Sequence, residues 1–260
     1  MDVVYEYDGT LEGFLCCVYD SYVYKESPVG FSADEGSLSL YEVRAVVTDA
    51  AHGRRVYQGL VRRSGKAANI LQRAFLTCME DKEMRLYAFV RRVFQEGGGF
   101  MQDLSDPVCY SLHKAIRHMN GELEKLRGFV RFSDYNGVLG AVIEPKNRVL
   151  PLLRHHFCDR YANEAFFIFD RTHREVLLYA KGVSRIAPLE HLELAAPNDT
   201  EIQYRRLWKT FFEMVAIRER KNPRCQNTFL PKRYRGVMTE FLPLEYEKTG
   251  AQPDRPRLRP

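Results

Sequence analysis

The chain has 260 residues, enough for one large domain or two small ones with a sizeable buried core. With 45% hydrophobic and 28% charged residues, it has the composition of a globular protein, and no stretch approaches the ~18 uncharged apolar residues of a membrane span. The net charge of +5 is uneven: residues 203–260 hold 14 Lys and Arg against 6 Asp and Glu, a local +8, and the rest of the chain carries −3.

These figures exclude a largely disordered or transmembrane chain and point to a polyanionic partner for the carboxy-terminal part. The first residues, Met1 to Asp8, have neither the basic start nor the apolar stretch of a secretory signal, so a cytoplasmic protein is expected. Six cysteines (Cys16, Cys17, Cys78, Cys109, Cys158, Cys225) show no C-x-x-C spacing. They read as reduced, mostly buried thiols, and neither a metal nor another cofactor is expected.

In chain order, residues 3–7 alternate like a short strand. The Asp8-Gly9 turn leads into an amphipathic helix carried by Leu11, Phe14, Leu15, Val18, Tyr19, Tyr22 and Val23. Residues 28–39 read as loop, and 41–48 with 55–60 as a hairpin around Ala51-His52-Gly53. Ser64 caps a helix to about Met79. A second helix over 83–95 stops at Gly97-Gly98-Gly99, a run without the Lys-Ser/Thr of a phosphate-cradling loop. Asp106-Pro107 opens a long helix to Gly128. Cys109, His113 and His118 lie along it at i, i+4 and i+9, a spacing that does not bring three metal ligands to one face.

Asn136-Gly137, between 129–132 and 138–143, is the strongest hairpin signal, because a type I′ turn needs positive φ at both central positions. A helix over 149–161 and a strand pair over 165–169 and 176–180 follow. The expected fold class is α+β, with a central antiparallel ββαββ unit and surrounding helices. The expected organisation is a single domain over 1–250, or two lobes over 1–127 and 128–250, with a mobile basic tail over 251–260.

From Thr200 the series Tyr204, Leu207, Trp208, Phe211, Phe212 and Val215 makes a helix with Arg205, Arg206 and Lys209 interspersed. Asn222-Pro223 ends it, and Pro231 opens a further short helix. Around these prolines lies the densest polar constellation: Arg218, Arg220, Lys221, Asn222, Arg224, Gln226, Lys232, Arg233 and Tyr234. Guanidinium forks match phosphate oxygens, amides read base edges and a tyrosine face stacks on bases, so the set suits DNA. The alternative is architectural: the same arginines would tie down carboxylates and helix carbonyls inside the fold.

Gly128-Phe129-Val130-Arg131-Phe132, Pro145 with Val149-Leu150-Pro151-Leu152-Leu153 and His156-Phe157, and Arg220-Lys221-Asn222-Pro223 with Gln226 and Pro231-Lys232-Arg233-Tyr234 occur in that order. Together with Tyr7-Asp8-Gly9 and Gly13-Phe14-Leu15-Cys16, they resemble a bacterial family of uncharacterised proteins labelled probable DNA metabolism proteins, over nearly the whole chain. The resemblance implies association with a radical-SAM protein of DNA modification or repair. In some members it implies fusion to a uracil-DNA-glycosylase-like domain. It brings no mechanism. Where the family pattern has a histidine shortly before Gly-Phe-Val-Arg-Phe, this chain has Glu124.

Two enzymatic readings compete with a DNA-binding accessory protein. Asp134 with Glu144-x-Lys146 has the residue order of a metal-dependent nuclease, and His156 has the acid–base range for a glycosylase-like activity. Pro145 within the first set argues against a central strand there, and His156 occupies the apolar phase of its helix. His155 and Arg160 flank that phase and suit phosphate. A protein-only adaptor, its basic patch meeting an acidic partner, is the third reading.

Overall fold

The Thr10 hydroxyl accepts the Gly13 N–H at 2.9 Å and so starts helix α1 (Leu11–Val23) directly after strand β1 (Asp2–Glu6). This computed structural model describes residues 2–33, 40–103, 105–217 and 222–241. The chain divides into two compact units, Met1–Met119 and Asn120–Pro260, with the boundary inside a long helix. No helix among the described residues is long and apolar enough to cross a membrane.

The first unit carries a three-stranded parallel sheet. β1 lies between β2 (Ser27–Ser32) and β3 (Glu42–Ala45) and pairs with both in parallel. Residues 28–32, expected as loop, thus form a strand. Pro28 and Gly30 are tolerated because β2 is an edge. The expected hairpin over 41–60 is also corrected. Its second half is helix α2 (Ala50–Arg63), begun by the Asp49 carboxylate, which accepts the N–H groups of Ala51 at 2.7 Å and His52 at 3.0 Å. Gly53, Val56 and Leu60 are its buried face, a helical spacing that the apparent alternation of 55–60 conceals.

Helices α3 (Gly65–Phe75), α4 (Lys82–Glu96) and α5 (Pro107–Phe129) follow the expected punctuation. Ser64 caps α3, and Asp106 accepts the Cys109 N–H at 2.9 Å in the first turn of α5. Tyr5, Phe14, Leu60, Leu71, Leu86 and Phe89 are buried together in the core of this unit. Each such side chain contributes about 1.5–3 kcal/mol of transfer free energy.

The second unit is built on a five-stranded mixed sheet ordered β4 (Ser133–Asp134), β5 (Val138–Ile143), β6 (Ala165–Asp170), β7 (Glu175–Ala180), β8 (Val183–Pro188). Asn136 and Gly137 both have positive φ, +55° and +88°, and close the β4–β5 hairpin as their sequence requires. Residues 129–132, expected as a strand, instead comprise the last residue of α5 and an irregular link to β4.

Helix α6 (Leu150–Arg160) crosses from β5 to β6, and these two strands pair in parallel; β6, β7 and β8 then run antiparallel. A mixed sheet with an added strand therefore replaces the expected antiparallel ββαββ unit. Parallel neighbours need the crossover helix, and β8 follows β7 through the tight Lys181-Gly182 turn, both at positive φ. Helices α7 (Asp199–Val215), α8 (Pro223–Phe229) and α9 (Lys232–Arg235) complete the described part.

Candidate functional site

Of the constellation read from the sequence, Arg218, Arg220 and Lys221 lie outside the described residues, as does the tail over 251–260. The remaining members separate into two groups. Asn222 caps α8 by accepting the Cys225 N–H at 3.1 Å, and Arg224 and Gln226 are exposed on that helix. Lys232 is exposed at the start of α9.

Arg233 and Tyr234 turn inward. Tyr234 is 3% exposed and packs on Phe129 with ring centroids 5.5 Å apart, so its ring is part of the core. Arg233 lies over that ring and donates to the buried carboxylate of Glu122 at 2.8 Å. Glu122 also accepts the backbone N–H groups of Asn147 at 2.8 Å and Lys146 at 3.1 Å, and the Asn147 side-chain amide at 2.6 Å. Burial pushes the Glu122 carboxyl up, but these donors together outweigh it and hold the group below its ordinary value. The architectural reading thus describes Arg233 and Tyr234.

A different set of basic and aromatic residues forms an open cleft of about 490 Å³ in the second unit. Its floor is Phe132, which meets Phe157, Tyr161 and Phe166 edge-on at centroid distances of 5.5, 4.9 and 5.8 Å. Arg131, from the same link between α5 and β4, donates to buried Glu240 at 2.8 Å and to the Gly128 carbonyl at 2.9 Å, with its guanidinium 5.6 Å from the Trp208 ring. Arg205 donates to Glu201 at 2.7 Å and to the Ser133 hydroxyl at 2.7 Å. Both arginines are held by carboxylates and fix the wall of the cleft.

Helix α7 supplies the aromatic rim. Tyr204 and Trp208, 65% and 40% exposed at i and i+4, line the cleft, and outside its lining Phe211, 56% exposed, stacks on the Trp208 ring at 5.7 Å and 27°. Asn198 starts this helix by accepting the Glu201 N–H at 2.8 Å. Arg127 and Arg160 also line the cleft, Arg160 lying over the Tyr161 ring. Glu201 is the one carboxylate in the lining, against four arginines.

Arg127 and Arg160 also border a second opening of about 520 Å³, shared with His155, His156 and Asp159. His155 and Asp159 pair at 2.7 Å along α6. Burial, then the neighbouring Arg127 and Arg160 charges, hold the His156 imidazole below its ordinary value against the opposing pull of Glu124 and Asp159.

The nuclease-like set is dispersed. Asp134 pairs with Leu139 at one end of β5 and accepts the Gly137 N–H at 2.7 Å, while Glu144 follows the other end of that strand and takes Arg171 at 2.7 Å. Five residues of strand separate the two ends by about 16 Å, too far for one metal ion. Among the described residues, no group of three His, Cys, Asp or Glu gathers as a metal site.

The sequence offered partial signals for the cleft. Trp208 among Arg205, Arg206 and Lys209 was legible as a basic helix, and Arg160 as a residue suited to phosphate. The meeting of Arg127, Tyr161 and α7 depends on how α5, α6 and α7 pack, which no local spacing encodes.

The fold and cleft define a mixed α/β protein of two units whose carboxy-terminal unit carries a basic, aromatic-rimmed groove. The chain belongs to the DUF4130 family, a domain of unknown function whose family model matches residues 80–240, a span that takes in every residue named for the cleft. No match to the chain was found among curated proteins.

Proposed function

We propose that this protein is a DNA-binding accessory protein of DNA repair or modification, and that it receives unpaired DNA in the cleft of the second unit. The observation that carries the reading is the joining of exposed aromatic faces on Tyr204 and Trp208 with four arginines and a single lining carboxylate. Base–aromatic stacking contributes about 1–3 kcal/mol per base regardless of sequence, and Arg160, with Arg127 held only by the exposed Glu124, supplies the complementary charge for the backbone while Arg131 and Arg205 stay paired with Glu240 and Glu201. The exposed Arg224 and Lys232 extend the same positive character along α8 and α9. Duplex DNA keeps its base faces stacked, so a single strand is the better match.

The family resemblance supplies the setting: a radical-SAM enzyme, and in some cases a uracil-DNA-glycosylase-like partner, would carry the chemistry while this chain holds the strand. Purification from nuclease-treated extract tests that association without a DNA bridge.

Trp208 is the chain's single tryptophan, so its emission reports on the cleft directly. Adding single-stranded DNA is expected to quench it with saturation, and duplex of the same sequence to act more weakly. Emission that ignores single-stranded DNA at concentrations saturating other nucleic-acid-binding proteins would contradict the proposal.

A further inference from the structure

Two buried nitrogen atoms that lack a hydrogen-bond partner, Arg127 Nε and His156 Nε2, belong to side chains lining the same opening beside the cleft. Both are covered as they stand, so an acceptor reaches them when the Arg127 and His156 side chains rotate toward the opening, and the hydrogen bond then satisfies a nitrogen that had no partner. Both carboxylates near them lie in solvent: Asp159 meets His155 at 2.7 Å and Glu124 meets Arg127 at 2.7 Å, each carboxylate 66% exposed, surface arrangements of little strength that an arriving anion can displace. Arg160, an exposed residue, stands one helical turn beyond His156 with its guanidinium over the Tyr161 ring.

We propose that Arg127, His156 and Arg160 together hold a phosphate group, forming a subsite next to the aromatic cleft. Guanidinium groups match phosphate oxygens with paired N–H donors, and an imidazole N–H completes a three-sided cradle. The subsite rests on the DNA reading above for the source of its phosphate. A strand-end phosphate monoester and an internal phosphodiester offer the same chemistry.

The imidazole makes the subsite sensitive to pH. The groups facing it are Arg127 and Glu124 from α5, and His155, Asp159 and Arg160 from α6. With the opening empty, burial and the two guanidinium charges favour the neutral ring. A bound phosphate offsets those charges, so the ring takes up a proton and binding tightens as pH falls through the range just below the ordinary histidine value.

The test follows the His156 ring by NMR in the full chain, with inorganic phosphate as the probe. Phosphate is expected to raise the ring's titration midpoint by about one pH unit or more, and Arg160→Ala to abolish that response. Two strands of one sequence, end-phosphorylated and end-hydroxyl, identify the source. Binding about tenfold tighter for the phosphorylated strand, lost in Arg160→Ala, identifies a monoester. Equal binding of both strands, weakened alike in Arg160→Ala, identifies a phosphodiester. A His156 midpoint indifferent to inorganic phosphate and to both strands overturns the subsite. If Trp208→Ala leaves DNA affinity intact while His156 still answers to phosphate, the cleft reading fails and the subsite stands.

Discussion

Arg233 donates to Glu122 at 2.8 Å, and the carboxylate that receives it is 1% exposed and also accepts the backbone N–H groups of Lys146 and Asn147. One side chain of α5 therefore ties together α9 and the loop between β5 and α6. The basic character of the Lys232-Arg233-Tyr234 segment is divided accordingly, with Lys232 facing solvent and Arg233 fastening the fold.

Removing the carboxylate that fastens Arg233 and removing the exposed cations are expected to have different consequences. Glu122→Ala strands four buried or half-buried donors, the Arg233 guanidinium, the Lys146 and Asn147 backbone N–H groups and the Asn147 side-chain amide, and should cost about 3–5 kcal/mol in urea unfolding. Arg224→Ala and Lys232→Ala, both at exposed positions, should stay within ~0.5 kcal/mol of the parent. Equal losses in the two sets would contradict the division.

The pH dependence of stability carries the same signature. Because the folded Glu122 carboxyl lies below its ordinary value, the unfolded chain binds the proton more readily. Its contribution is fully present above the ordinary carboxylate range and is lost as pH falls through the lowered folded value. Glu122→Gln should flatten the acid limb of a stability profile, measured by denaturant titration at stepped pH.

Gly140 sits opposite Phe167 in the β5–β6 ladder, and a Cβ there would lie 2.3 Å from the Phe167 ring and 2.7 Å from Tyr135. These rings pack at 6.0 Å over the missing side chain. Gly140→Ala should cost about 1–3 kcal/mol through overpacking, seen as a lower thermal midpoint, whereas Gly121→Ala, with open space around its Cβ, should not.

Thiol reactivity should follow burial. Cys78 and Cys225 are exposed, whereas Cys16, Cys17 and Cys109 are buried, and burial followed by the Asp106 carboxylate pushes the Cys109 thiol up to about 11. In the native protein at mildly alkaline pH, a thiol reagent should modify Cys78 and Cys225 first, with Cys109 reacting only on unfolding. Mass spectrometry of the labelled peptides reads the order.

The sequence was most informative where local chemistry sets local structure. Ser64 and Asp106 start helices, and Asn136-Gly137 forces a hairpin, each through contacts within a few residues. It misled where tertiary position decides. Pro28 and Gly30 read as loop because nothing local says that they lie on a sheet edge, and the alternation of 55–60 conceals the helical spacing of Gly53, Val56 and Leu60. The site followed the same rule. A run of cations gives charge density, but whether a given arginine meets solvent or a carboxylate more than a hundred residues away, as Arg233 meets Glu122, depends on packing.

The salt dependence of single-stranded DNA binding, followed by fluorescence anisotropy, tests the central claim most directly. Affinity should fall linearly on logarithmic axes as salt rises, and Arg160→Ala should reduce the slope by about 0.7, the share of one phosphate on a single strand. Trp208→Ala should weaken binding by about five- to a hundredfold at every salt concentration, with the slope unchanged. Binding that is flat in salt and indifferent to Trp208→Ala would contradict a cleft built to take a stacked, charged strand.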